Sequence, residues 1–205
     1  MQTIFVATID SFMDYLNPTA NWGTHTEVYQ GPLYVAGGKA SLYRGIGNFD
    51  VSSIASKTII SAFLRRQLQN AEGAPYDIKI SRCTRPSTWT ETGVTWNKYD
   101  WTNNWTSGGG DFDDTTPAAV TFTETAPGNF DIPGLKNHVT DAIANRSNIV
   151  SLILRNVDEN PGVTKLSLWY SSESTIGTLW SLVVEWDANS RITQLKQAVN
   201  RASTY

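Results

Sequence analysis

The chain supplies few of the side chains that do most protein chemistry. Its 205 residues include one cysteine and two histidines. A lone Cys83 excludes an intrachain disulfide and a cysteine-based zinc cluster; within the alternating run YDIKISRCTR it reads as a strand residue. Charge is also scarce: 17% of residues are charged and the net charge is -3, where about a quarter is usual for a globular protein. Thr, Ser and Asn fill the gap. Lys and Arg are scattered, with only Arg65 and Arg66 adjacent, which argues against a nucleic-acid interface. No apolar run reaches the length of a membrane span. The opening MQTIFVATID has no charged leader, long apolar core or small-residue cleavage site. That predicts a chain used without Sec export, or one whose leader was replaced by Met1.

What the sequence has in quantity is alternation. Runs of period two recur at Ile4–Val6, SLYRGIGNFD, TIISAFLRRQLQ, YDIKISR, AVTFTE, NIVSLILR, KLSLWYS and LWSLVVEW. In the third, Ile60, Ala62, Leu64 and Leu68 are expected on one face; in YDIKISR, Tyr76, Ile78 and Ile80. Turn clusters separate them, among them NPTANWG, TSGGGDFDDTTP and DENPG. Two segments have helical spacing. IPGLKNHVTDAIANRS places Leu135, Val139, Ala142 and Ile143 on one stripe. The tail repeats Ile192, Leu195, Val199 and Ala202, too short for an independent coiled coil. Together these predict an all-β fold, a jelly-roll-like β-sandwich with one short crossing helix and a C-terminal helix. The sandwich should occupy 1–187 and the helical tail 188–205.

The order of motifs resembles the DNRLRE family, whose members look like carbohydrate-binding-type β-sandwiches. ATIDSFMDYLNPTANWG is similar to the family's opening strand and Asn-aromatic-Gly turn. FDVSSIASKTIISAFLRRQLQ, STWTETGVTWN, FDIPGLKNHVTDAIANRSNIVSLILR and LWYSSESTIGTLWSLVVEW resemble its later elements, over roughly residues 3 to 186. The chain departs from the pattern in lacking the family's export signal, in its tail after Trp186, and at two places within the matched span. GIGN lies between Arg44 and Phe49, where members run straight on, and Thr178-Leu179-Trp180 stands where they have a Pro. The resemblance implies a module attached to a secreted or cell-surface protein.

Tryptophan is the abundant functional side chain, with eight in all, four of them in STWTETGVTWNKYDWTNNW. Trp89 and Trp96 sit at motif positions and are expected in the core with Trp186, while Glu91 should accept nearby backbone N–H groups. Trp101 and Trp105 lie among Asp100, Asn103 and Asn104 beside a triple glycine. That chemistry suits stacking on sugar rings with amides bonding hydroxyls, an interface anchor, or a loop folded back over the sandwich. Trp22 is a further ligand or partner candidate. Asp111, Asp113 and Asp114 offer three carboxylates for a calcium ion, or a capped turn; otherwise no cofactor is implied. His25 and His138 have no nucleophile motif near them in sequence.

Three functions follow. The first is a non-enzymatic structural or adhesive module, a phage virion surface protein of the head decoration or the tail or fibre. It would join capsid proteins or sister copies through Ile192, Leu195 and Val199. The second is a carbohydrate-binding module, secreted or on a virion. The third is a polysaccharide-degrading enzyme.

Overall fold

In the computed structural model, residues 1–85, 88–115, 117–177 and 179–188 are described. The expected tail helix, with Ile192, Leu195 and Val199, lies outside these residues. The strands are β1 Gln2–Val6, β2 Ile9–Asp14, β3 Glu27–Val35, β4 Gly38–Asp50, β5 Thr58–Glu72, β6 Tyr76–Cys83, β7 Phe112–Asp113, β8 Ala119–Glu124, β9 Gly128–Pro133, β10 Ile149–Asn156, β11 Leu166–Tyr170 and β12 Ser181–Asp187. One helix, α1 Lys136–Asn145, lies between β9 and β10. It packs on β5 and β10 and buries Val139 and Ala142, with Leu135 just before it buried and Ile143 half-buried, the stripe expected from its spacing. The all-β class holds.

The strands form one curled antiparallel sheet in the order β1-β12-β5-β11-β3-β4-β10-β6-β7, with β9 beside β5, β2 beside β4 and β8 beside β6. The curl turns on β3. Its Glu27–Gln30 half pairs with β11, and its Gly31–Val35 half pairs with β4. Gly31 marks the crossing at φ +105°, where a Cβ would lie 2.1 Å from the Lys165 carbonyl oxygen. A side chain is barred there both by backbone conformation and by space.

The two halves of the curl enclose the inner core. Leu64 and Leu68 of β5, Ile78 and Ile80 of β6, Leu152 and Leu154 of β10, Trp169 of β11 and Leu182 and Val184 of β12 meet there. Tyr76, Ile78 and Ile80 share the inner face as their alternation requires. The expected face of β5 needs one correction. Trp186 pairs with Ile59 and Glu185 with Ser61, so Ile60 is an extra residue in a bulge. Ile59 turns inward while Ile60 is 55% exposed. Beyond the bulge Ala62, Leu64, Arg66 and Leu68 all face the core, arginine included.

A second core lies on the back of the sheet. The excursion 88–115, between β6 and β8, folds over Met13 of β2, Leu42 and Ile46 of β4, Cys83 of β6 and Ile153 of β10. It contributes Trp89, Val94, Trp96 and Trp105. Trp89 and Trp96 are therefore core residues, as their motif positions suggested. Trp89 Nε1 donates toward Asn48 Oδ1 and Ser151 Oγ at 2.9 and 3.1 Å. The triple glycine closes this layer by allowing close contact. A Cβ on Gly109 would meet the Trp96 ring at 2.8 Å, and one on Gly110 would meet Ile153 at 2.5 Å.

Candidate functional site

The tryptophan-rich loop divides its candidates between surface and core. Trp101 is 67% exposed at the tip of a tight turn. Asp100 builds that turn by accepting bonds from the backbone N–H groups of Thr102 and Asn103 and from the Asn103 amide. The Asn103 and Thr102 hydrogen bonds hold the Asp100 carboxyl down at about 2. Asn103 and Asn104 are exposed beside it. Trp101 borders a pocket of about 170 Å³ with Thr19, Asn21, Thr92, Gly93, Thr95 and Lys98. Trp105 is a correction to the sequence reading. It is 5% exposed and packs in the second core. Its Nε1 donates to the Thr95 carbonyl at 3.0 Å, and its ring tilts against Tyr99. Asn104 bridges to Lys98 on the outside, and the next side chain in an extended segment points the other way.

The three aspartates proposed for calcium are also redistributed. Asp111 pairs with Arg85, Asp113 with Arg82, and Asp114 with Arg155 and Lys79. Asp111 additionally accepts from the backbone N–H groups of Thr106 and Ser107. Among the described residues no cluster of three His, Cys, Asp or Glu side chains has metal-holding geometry. The glycines and aspartates form a turn cross-linked by arginines, which is the capped-turn alternative.

Trp22 stands in a different setting. Phe12 of β2 is the hub of an aromatic bowl. Trp22 stacks on it at 5.3 Å between centroids with an 11° interplanar angle. His25, Tyr29 of β3 and Tyr43 of β4 surround Phe12 at 5.7, 4.9 and 5.9 Å. The rings also touch one another in series, Trp22 with His25, His25 with Tyr29, and Tyr29 with Tyr43. Asp14 and Asn17 complete the lining of a pocket of about 240 Å³. The bowl is rigid for identifiable reasons. Asp14 accepts from the Leu16 backbone N–H, the Asn17 amide and the Ser41 hydroxyl. Asn21, next to Trp22, donates to the Glu91 and Val94 carbonyls of the excursion at 2.6 and 2.7 Å. Gly23 on the other side has no room for a Cβ, which would lie 2.2 Å from the Glu91 oxygen. Trp22 Nε1 is buried without a hydrogen-bond partner. Sequence reasoning singled out Trp22 but not Phe12, Tyr29 or Tyr43. Those three are ordinary strand aromatics until the strands are paired.

Sequence reasoning missed a buried charge cluster altogether. Arg66 is fully buried, with its guanidinium 3.7 Å from the Trp169 ring centroid and 3.9 Å from that of Trp180. Gly45 and Gly47 make the room, since a Cβ at either would lie within 3.2 Å of the Trp180 ring. Two glycines of the GIGN run and Trp180 thus form one packing feature. Glu124 and Asp10 supply the negative charge that acts on Arg66. Glu124 accepts from Ser167, whose hydroxyl also meets Tyr76. Burial pushes the Asp10 carboxyl up to about 7, and Glu173 and Glu91 add to the push. Glu91 accepts the Asp10 backbone N–H at 3.0 Å, the N–H role expected of it. Burial pushes Glu124 up as well, while the charge of Arg66 and the Ser167 bond pull it back.

The two histidines have structural partners. His138 Nε2 donates to the Ala118 carbonyl at 2.9 Å, and burial lowers its pKa to about 4, so the ring stays neutral. His25 Nδ1 contacts the Glu27 backbone. Among the described residues, neither imidazole is hydrogen-bonded to a hydroxyl or thiol. When the chain is compared with known proteins, no family model and no curated protein matches it.

Proposed function

We propose that the chain is a non-enzymatic adhesive β-sandwich module that binds carbohydrate through the bowl around Trp22. The observation that carries this reading is the bowl itself. Aromatic faces and a few fixed polar groups converge there on a concave surface, the usual composition of a small-ligand site. Its volume suits one sugar ring or one substituent rather than an oligosaccharide chain. Trp101, Asn103 and Asn104 lie beyond the same 17–25 turn, since Thr19 and Asn21 line the neighbouring pocket. They are suited to contacts with the flanking part of a longer glycan.

The setting we infer is a particle surface, as a head decoration or a tail or fibre component of a phage virion. Low charge and the Thr-, Ser- and Asn-rich composition support it. Attachment would then fall to the tail carrying Ile192, Leu195 and Val199. A glycan array probed with the parent protein and with Trp22→Ala tests the binding reading. Binding by the parent that disappears in the variant supports it. A parent that binds no glycan, or a variant that binds as the parent does, overturns it.

A further inference from the structure

The charge around the bowl points to the kind of ligand it takes. No lysine or arginine is among the residues lining the pocket. The charged groups at its wall are carboxylates. Asp14 lines it directly, and Glu27 Oε2 accepts the Tyr29 hydroxyl at 3.1 Å. The phenols report the same negative field. Tyr29 is pushed up to about 12 by burial and then by Glu27, and Tyr43 is raised by burial and then by Asp14. The remaining wall is ring apart from the Asn17 side chain. A cation within about 6 Å of an aromatic face is attracted by the ring quadrupole, more strongly once desolvated. Here Trp22, Tyr29 and Tyr43 present rings around one hub, with His25 between two of them. An anionic sugar would meet the opposite. Uronate, sialate or sulfate groups would enter a pocket lined by one carboxylate, with a second behind the Tyr29 hydroxyl and no lysine or arginine in the lining, and like charges at such range repel.

We propose that the Trp22 bowl is a cation-selective subsite, which holds an ammonium group, free or quaternary, borne by the bound glycan. This rests on the carbohydrate reading above and narrows it. The ammonium would sit against the ring faces, with Asp14 and Glu27 supplying countercharge behind them.

The test measures binding of four small probes by saturation-transfer NMR and titration calorimetry: choline, glucosamine, glucose and glucuronate. Parent protein is compared with Trp22→Ala, Glu27→Gln and Asp14→Asn. Because Asp14 also fixes the local turn, Glu27→Gln keeps the test decisive should Asp14→Asn fail to fold. The expected result is that choline and glucosamine bind at least tenfold more tightly than glucose, and that glucuronate does not bind. Glu27→Gln should reduce that preference severalfold while leaving the weak glucose signal unchanged. Trp22→Ala should abolish all binding. Equal binding of glucose and glucosamine overturns cation selectivity and leaves the carbohydrate reading standing. Binding of choline but of no sugar supports the cation site and overturns the carbohydrate reading. Absence of binding by all four overturns both.

Discussion

Two groups of buried tryptophans hold this molecule together, and they are built on opposite rules. Behind the sheet, Trp89 and Trp105 each direct the indole N–H to a named acceptor, and Trp96 fits against glycines with no room to spare. Inside the sheet, Trp169 Nε1 and Trp180 Nε1 have no hydrogen-bond partner, nor do Nε and Nη2 of the arginine between them. Asp10 Oδ1 and Glu124 Oε1 nearby are in the same state. Buried polar atoms left in such numbers are normally bridged by internal water. The outer layer is a finished lid, whereas the inner one has a charged centre whose stability depends on every member being present. Burying an ion pair adds little net stability, but removing one partner costs much, because the other charge stays behind.

The largest expected effect comes from breaking the inner cluster. Arg66→Ala strips Glu124 and Asp10 of their countercharge and opens a gap between two indole rings, and should cost about 3–5 kcal/mol in urea unfolding. Arg66→Met sharpens the point. It fills much of the gap, and if its loss is no smaller than that of alanine, charge rather than volume governs the site.

Trp96→Ala, in the lid, should cost about 3 kcal/mol, toward the lower end of the range for a buried aromatic. The two regions should also differ in how they open. Hydrogen exchange in the Trp96 variant should rise across 88–115 before it rises in β5 or β12, as expected for a local unit over an intact sheet. Simultaneous loss of protection in both would show that the lid is not separable.

Proton linkage separates the regions further. The Asp10 carboxyl titrates at about 7 in the fold against 3.8 in a model peptide. The folded state therefore binds the proton more tightly. Its contribution to stability is complete below about pH 4 and is lost as the pH rises through 7. Asp10→Asn keeps an oxygen for the Ser172 N–H and cannot ionise. Its melting temperature relative to the parent should therefore climb from pH 4 to pH 8. A constant difference over that range would place the charge of Asp10 elsewhere.

The smallest effect belongs to Trp101. Its side chain is 67% exposed, and Trp101→Ala should change stability by no more than about 0.5 kcal/mol. Thermal melting checks this. A shift of the size expected for Trp96 would mean that the tip is packed, not presented.

Much of the framework was legible because it depends on local pattern. Alternation placed Tyr76, Ile78 and Ile80 on the core face, and the 3.6 periodicity placed Val139 and Ala142 under the helix. The same rule applied to β5 would have put Arg66 inside, between Leu64 and Leu68; an arginine in that position reads as solvent-facing only because buried arginine is rare. Ile60 was misplaced because a bulge shifts the alternation by one and leaves no mark in a single strand. Trp105 was misplaced because its polar neighbours describe the outside of the turn. The bowl was half visible, as Trp22, because Phe12, Tyr29 and Tyr43 come from β2, β3 and β4 and meet only through strand pairing.

Asn21 and Gly23 have a consequence for anyone who would move this surface to another scaffold. The turn bearing Trp22 is moulded to the backbone of the excursion by two hydrogen bonds from the Asn21 amide and a van der Waals contact with no slack. A graft of residues 17–25 alone would carry the rings without their mount. The transferable unit is that turn together with 88–115 and the strands beneath them. By the same reasoning, sequence changes around Glu91 and Val94 of the excursion, which do not line the pocket, are a route by which the shape of the bowl can be retuned.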